Sequence, residues 1–370
     1  MAEDEALRTI DIIRAWGRIL VGRAPSMSIE ITKRCPLSCP GCYAYGSHHL
    51  GSAGTLTELR EYEGMQLVRG ILSLVDHHRP LHLSMVGGEP LVRWREISQL
   101  LPELEKRNIH TQIITSAVSQ IPHEWRNALR LTLVVSVDGL PAEHDRRRAP
   151  ATYERILKHI RGHNITVHCT ITRQMTHRPG YLSEFVNFWS EQSGIQKIWM
   201  SLYTPQIGEE SPEILPPRVR EHVIDELSVI RQSFHKLELP PSLLQSYKHP
   251  PADPSRCVFA QTTQTISVDF RTKVTPCQLG GMPDCSQCGC IAAAAMEAVN
   301  RHRLPIGLRA GSIYGISREF GLYLRRLIDS GHENSLVDSS DTALSAIRRP
   351  DLRETYERAG SPPKPRMDSA

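Results

Sequence analysis

No apolar run in this 370-residue chain approaches the length that crosses a bilayer, so no transmembrane segment is expected. Neither sign of charge dominates. Lys and Arg number 44 against 40 Asp and Glu, a net charge of +4 with His neutral, and that balance gives no reason to expect a nucleic-acid partner. No internal repeat is evident. No secretory signal peptide is visible, and the cysteines are not spread as in a small disulfide-stapled domain: eight of the nine fall in two clusters. In a chain this long, such clustering points to metal binding. The length predicts one large domain plus a smaller one, with a sizeable core.

The first cluster is Cys35, Cys39 and Cys42, spaced C-x3-C-x2-C within Ile31-Thr-Lys-Arg-Cys-Pro-Leu-Ser-Cys-Pro-Gly-Cys-Tyr43. A four-iron cluster takes one thiolate per iron, so three cysteines leave one iron open to a small molecule. Pro36, Pro40 and Gly41 bend the chain so that the three sulfurs can converge. The flank Met27–Thr32 alternates like a strand, which puts the loop at a strand's C-terminal end. The plainer reading is a zinc site completed by His48 or His49. It leaves a second motif unexplained. Leu81–Val86 reads as another strand and runs into Gly87-Gly88-Glu89-Pro90, about 45 residues after the triad. Glycines allow close backbone approach to a ligand, and a carboxylate attracts an ammonium group.

The triad followed by GGEP resembles the radical S-adenosylmethionine enzymes. The resemblance implies an open-site [4Fe-4S] cluster on Cys35, Cys39 and Cys42, with S-adenosylmethionine bound beside Gly87, Gly88, Glu89 and Pro90. It also implies that one electron passing through the cluster cleaves the cofactor to a 5′-deoxyadenosyl radical, which abstracts hydrogen from a substrate carbon. Val134-Val-Ser-Val-Asp-Gly139 is similar to the Ser-Leu-Asp-Gly element of members with an auxiliary cluster. Ser136 and Asp138 are therefore expected near the ribose, where hydroxyl or carboxylate partners are needed. The plainer reading of Asp138-Gly139 is a turn. In His144-Asp145-x-x-Arg148, Arg148 is a candidate partner for a carboxylate, with a solvated basic turn as the alternative. Arg173, with Thr170 and Thr172, ends the fifth candidate strand and completes the pocket candidates. One position departs from the family: many members carry an aromatic residue just before the third cysteine, packed near adenine, and here it is Gly41. Cys169 stands alone in an apolar strand and reads as core.

From about residue 25 to 205, candidate strands at 27–32, 81–86, 110–115, 131–137, 165–171 and 197–203 alternate with candidate helices at 57–77, 95–107, 122–129, 151–162 and 180–193. The pattern predicts an α/β fold with a parallel sheet and ligands at the strands' C-terminal ends. The resemblance makes it a partial (β/α)6 TIM-like barrel with a small C-terminal cysteine-rich auxiliary-cluster region. The expected division is an amphipathic helix in 1–24, the barrel in 25–205, and a Pro-rich helical connector in 206–256. The auxiliary-cluster region is placed in 257–300, followed by a helical segment and poorly ordered tail in 301–370. The first helix, through Leu7, Ile10, Ile13, Trp16, Ile19 and Leu20, is expected to dock on the domain.

The second cluster holds Cys257, Cys277, Cys285, Cys288 and Cys290. Thr265–Phe270 and Lys273–Pro276 read as a hairpin that brings Cys257 and Cys277 to Cys285-x2-Cys288. This resembles the auxiliary-cluster region of SPASM or twitch-type radical enzymes and implies a second [4Fe-4S] cluster. Cys257, Cys277, Cys285 and Cys288 are the favoured ligands, with Cys290 as an alternative; a zinc ribbon is the plainer reading. The resemblance further implies a one-electron donor such as flavodoxin or ferredoxin and a cytoplasmic location. Peptide, small-molecule and lipid substrates all remain open, and a peptide substrate would call for a separate leader-binding protein. No acid–base catalytic residue is singled out. The alternative from another class is a non-catalytic iron–sulfur or zinc protein acting as redox sensor or scaffold.

Overall fold

The computed structural model describes residues 9–303 and 309–343, with side chains for 13–303 and 309–328. Seven strands run parallel in one sheet: β1 (Ser26–Glu30), β2 (His82–Val86), β3 (His110–Thr115), β4 (Leu131–Ser136), β5 (Ile165–Ile171), β6 (Ile195–Leu202) and β7 (Thr263–Ile266). Their order is β6-β5-β4-β3-β2-β1-β7. Crossover helices α2 (Gly64–His78), α3 (Trp94–Lys106), α4 (Pro141–Arg148), α5 (Tyr153–His159) and α6 (Tyr181–Glu191) join the first six strands. Only β3 and β4 are joined without an α-helix, by a short 3₁₀ turn at His123–Asn127.

Alternation along the strands decides what each face does. Ile29, Leu83, Met85, Ile113, Leu133, Val135, Val167, Ile171, Met200 and Leu202 are buried in the main core. Cys169 lies among them, as its apolar strand predicts. The intervening positions are Ser28, Ser84, Gln112, Ser136, Thr166, His168 and Ser201. A parallel sheet packed by helices on both faces reads as continuously apolar. These strands alternate instead, so one face packs on helices and the other lines a polar interior.

The α/β architecture and parallel sheet agree with expectation, and the strand count exceeds it by one. β7 is the first arm of the expected hairpin, and it pairs parallel with β1 as an edge strand of the main sheet. The chain then turns back: Val274 N donates to Thr265 O at 3.0 Å, and the Asp269 carboxylate accepts from Arg271 N and Thr272 N in the turn. The expected helix at 57–77 begins only at Gly64. Glu58 and Glu61, ahead of it, bond to Thr55 N and to Thr32 instead of continuing a helix. The connector holds two helices, α7 (Pro217–Ile230) and α8 (Pro241–Lys248), each with Pro at its start.

α9 (Val258–Thr262) and α10 (Ile291–Arg301) flank the second cysteine cluster. The chain N-terminal to Tyr323 belongs to one compact unit, Met1–Leu322, in which α1 (Thr9–Leu20) docks as expected: Trp16 and Ile19 pack with Val258, Met296 and Tyr314. Leu7 lies outside the described residues. A second unit, Tyr323–Ala370, contains the end of α11 (Ala310–Ala343), and the expected disordered tail lies outside the described residues. Among the described residues no helix is long and apolar enough to cross a membrane.

Tyr153 joins three of these elements. Its hydroxyl donates to Gly139 O at 2.6 Å, after β4, and accepts from Trp189 Nε1 on α6 at 3.0 Å. Tyr153→Phe leaves both groups unpaired in the core. The expected outcome is a loss of about 1–3 kcal/mol, measured by urea unfolding.

Candidate cofactor site and second cysteine cluster

The triad loop leaves the C-terminal end of β1, and the GGEP turn leaves the end of β2 beside it. Glu89 N donates to Arg34 O at 2.8 Å, fastening one loop to the other. Gly87 has φ +81° and Gly88 φ +24°, and a Cβ on Gly87 would lie 2.6 Å from that of Glu30. Only glycine allows this approach.

The Glu89 carboxylate is fully committed. One oxygen accepts from Leu91 N (2.9 Å) and Thr115 Oγ1 (2.5 Å), the other from Ser116 N (2.8 Å) and Ser116 Oγ (2.5 Å). Four donors fill the acceptor capacity of a carboxylate. Glu89 therefore binds β2 to β3 and shapes the glycine turn, and its oxygens are not open to a further ammonium donor. Pro90 starts the buried turn that follows. Beneath the triad loop, Glu61 accepts from Thr32 Oγ1 and from Arg93 at 2.7 Å.

Asp138 follows β4 and is likewise a hub. Its carboxylate accepts from Arg148 Nε at 2.7 Å, Arg147 Nε at 3.0 Å and Thr170 N at 3.1 Å. Burial by itself would raise the Asp138 carboxyl, but the guanidinium groups of Arg148 and Arg147 hold it well below the usual range. His144 braces the same turn. Its Nδ1 accepts from Asp138 N (3.0 Å) and its Nε2 donates to Ala151 O (2.8 Å), the arrangement of a neutral imidazole. Burial holds it in that form. Asp145 accepts from Tyr153 N at the start of α5. Of the His-Asp-x-x-Arg motif, then, two members build the turn, and Arg148 places its charge near Cys39 and Cys42. The Ser136 hydroxyl has no hydrogen-bond partner among the described residues and stands beside His168 in the ladder. Arg173 is exposed, with its backbone N–H on Glu213 O at 3.1 Å.

Burial pushes the Cys35 thiol up to about 11, with Glu89, Cys39 and Cys42 adding to the rise. Among the described residues no three His, Cys, Asp or Glu side chains are grouped to hold a single metal ion. Tetrahedral zinc at about 2.3 Å from sulfur needs thiolates roughly 4 Å apart. A four-iron cluster takes each thiolate on a different iron and so spaces them more widely. Three thiols that influence one another beside a cationic Arg148 are a donor set of the kind a four-iron cluster takes. His49, the other candidate zinc ligand, is occupied: Nε2 meets Glu30 at 2.6 Å and Nδ1 meets Leu279 O at 3.0 Å.

The second cluster converges in the same way. Cys277 senses Cys288, Cys257 and Cys285, and burial pushes its thiol up to about 12. Cys285 senses Cys288 and Cys257, and burial pushes it up to about 11. Cys290 differs in its surroundings. It precedes α10, and its sulfur accepts from Gln278 Nε2 at 3.4 Å. The segment is pinned to the sheet through Leu202 N to Gly289 O (2.9 Å) and Ile291 N to Ser201 Oγ (3.2 Å). Tyr43 is near both groups: Cys42, Cys290 and Cys277 all act on its phenol.

Several site residues carried no sequence signal. Glu30 is legible only as a polar step in a strand. Glu213 lies in the Pro-rich connector, yet it is buried and ion-paired to Arg147. His168, in the barrel interior, bonds Ser201 Oγ at 2.8 Å, and burial pushes it down to about 4.

The His49–Glu30 pair gives a signed pH dependence. Burial would lower His49, but the hydrogen bond and charge of Glu30 raise it above its ordinary 6.5. Its stabilisation is complete below pH 6.5 and is lost as pH rises through the raised folded value. His49→Gln should cost about 3–5 kcal/mol below pH 6.5 and less at higher pH. Denaturant unfolding of both proteins across pH checks this, and a difference flat with pH would show that the pair is not ionic.

Residues 29–178 match the Radical SAM superfamily. Over 115 residues the chain is 31% identical to the "PqqA peptide cyclase" of Rhizobium meliloti (strain 1021), covering 31% of this chain and 28% of that protein. Its identity to the "PqqA peptide cyclase" of Granulibacter bethesdensis (strain ATCC BAA-1260 / CGDNIH1) is 34% over 89 residues, covering 24% and 21%. The alignments thus span less than a third of these relatives. Among solved structures, Streptococcus suis SuiB bound to precursor peptide SuiA aligns with a TM-score of 0.47 at 17% identity, over 85% of this chain and 69% of that one. TYW1 with a lysine-pyruvate adduct bound aligns with a TM-score of 0.33 at 13% identity, over 56% and 72%. The match to the radical S-adenosylmethionine superfamily thus covers residues 29–178, the part of the chain that holds the triad, the GGEP turn and Asp138.

Proposed function

We propose that this chain is a radical S-adenosylmethionine enzyme that modifies a peptide and carries a second, auxiliary iron–sulfur cluster. The observation that carries the reading is that cysteines of both groups, Cys42 on one hand and Cys277 and Cys290 on the other, come near the same residue, Tyr43, beyond the end of β1. Similarity to proteins named peptide cyclases supports a peptide as the substrate.

When bound, an open-site four-iron cluster supplies the one-electron reduction that cleaves S-adenosylmethionine to methionine and a 5′-deoxyadenosyl radical. Cys35, Cys39 and Cys42 would hold it. Gly87 and Gly88 let their turn pack against Glu30 and Arg34 beside the triad, in a position that Glu89 fixes. Arg148 sets a positive charge beside Cys39 where a carboxylate is expected. Ser136 offers a hydroxyl to the ribose. Cys257, Cys277, Cys285 and Cys288 would hold the auxiliary cluster, with Cys290 beside them. His168, neutral and facing the interior, offers an imidazole to a substrate bound there. A one-electron donor of the flavodoxin or ferredoxin class and a leader-binding protein complete the assembly.

Anaerobically reconstituted protein given S-adenosylmethionine and dithionite should release 5′-deoxyadenosine, and Cys35→Ala should release none. Coexpression with short peptides encoded beside the gene should change a peptide's mass. Full iron loading without 5′-deoxyadenosine would overturn the enzyme assignment.

A further inference from the structure

A buried cation stands beside the second cysteine group with no acid bonded to it. Arg220 comes from α7, in the Pro-rich connector, and is 7% exposed. Its Nη2 donates to two backbone carbonyls, Cys288 O at 2.7 Å and Tyr247 O at 3.2 Å. Its Nη1 is buried and has no hydrogen-bond partner among the described residues. Asp284 acts on Arg220 without bonding it, because that carboxylate is spent on Ser286 N (3.0 Å), Ser286 Oγ (2.6 Å) and Gln287 Nε2 (2.8 Å).

A guanidinium taken out of water is costly unless an anion balances it, and a buried N–H without an acceptor adds to that cost. Burial pushes Arg220 down from its ordinary value, and the strongest influence opposing that is Cys288. The arginine is therefore aimed at a cysteine that the sequence already singles out as a metal ligand. Its planar fork suits the place: one nitrogen is fixed on the carbonyl of Cys288, and the other is left for an acceptor beside it. Thiolates on an iron–sulfur cluster supply what is missing, net negative charge and sulfurs that accept hydrogen bonds.

We propose that Arg220 is the counter-ion of the auxiliary cluster, its Nη1 donating to the sulfur of Cys288, and that it sets the cluster's reduction potential above the value the thiolates alone would give. The inference rests on the auxiliary-cluster reading. Reduction adds one electron, and so one negative charge, to the cluster. A fixed cation beside the sulfur stabilises the reduced form more than the oxidised one. Arg220 is thus a positioning residue that acts through the cluster and is not one of its ligands.

The test is a redox titration followed by electron paramagnetic resonance. It uses the anaerobically reconstituted full chain with Cys35→Ala, Cys39→Ala and Cys42→Ala together, so that the remaining signal belongs to the second group, and iron is measured in every sample. Adding Arg220→Gln should shift the midpoint to a more negative potential. Arg220→Lys, which keeps the charge and loses the fork, should lie between the two. A purely structural role gives the opposite sign, because a gap left by the arginine admits water, and water favours the more highly charged reduced form. An unchanged or more positive midpoint in iron-loaded Arg220→Gln would overturn the inference and leave the cluster standing. Should Arg220→Gln not hold iron, Arg220→Lys decides, and a midpoint at or above that of the Arg220 protein overturns it. A wild-type chain that takes up zinc at the second group, or no iron beyond that of the first cluster, would overturn the auxiliary-cluster reading and this inference with it.

Discussion

The Glu30–His49 pair is the contact on which the two cysteine-bearing regions depend. Both side chains are buried, at 1% and 0% exposure. Glu30 ends β1; His49 follows the triad loop; the second oxygen of Glu30 accepts from Ser267 Oγ at 2.5 Å, just beyond β7. His49 also holds Leu279 O, two residues past Cys277. With a carboxylate on one ring nitrogen and a carbonyl on the other, both nitrogens must donate, so the imidazole is charged. Burying an ion pair contributes little net stability. What it contributes here is position: one strand end fixes the triad loop and the second cluster's loop relative to each other.

The same device recurs around the mouth. Glu89 after β2 binds the end of β3, and Asp138 after β4 binds Thr170 N on β5. Each of these buried carboxylates takes at least one donor from the end of a neighbouring strand, so the strand ends are tied laterally. Saturated carboxylates of this kind do not move readily when a ligand arrives, because releasing one donor exposes a buried charge. The open functions are then left to groups that the network does not use: the thiols, the Ser136 hydroxyl and the backbone of the glycine turn.

Much of this was legible in the sequence because it is local. Strands at 110–115 and 165–171 appear with those bounds, since their apolar periodicity meets no competing signal. The triad and GGEP are contiguous motifs, and their strand-end positions follow from the flanking alternation. The parts that were not legible depend on distant partners. Thr265–Phe270 reads as one arm of a local hairpin, and only pairing with β1 makes Thr263–Ile266 a strand of the main sheet. Glu89 reads as a ligand contact until Thr115 and Ser116 are seen to fill it. Glu213 has no local pattern, and its meaning comes from Arg147, far away in the chain. Residue type and spacing reveal where chemistry is concentrated; they do not reveal which polar atoms the fold has already consumed.

That distinction also bears on the barrel interior. Ser28, Ser84, Gln112, Thr166, His168 and Ser201 point away from the helix-packed core, and Ser28 Oγ is buried without a hydrogen-bond partner among the described residues. A dry core would not keep such groups, since each unpaired hydroxyl costs roughly 1–3 kcal/mol. Apolar residues of similar size would fill the same volume at lower cost. The polar lining is therefore better understood as the wall of a space meant for water or a polar guest.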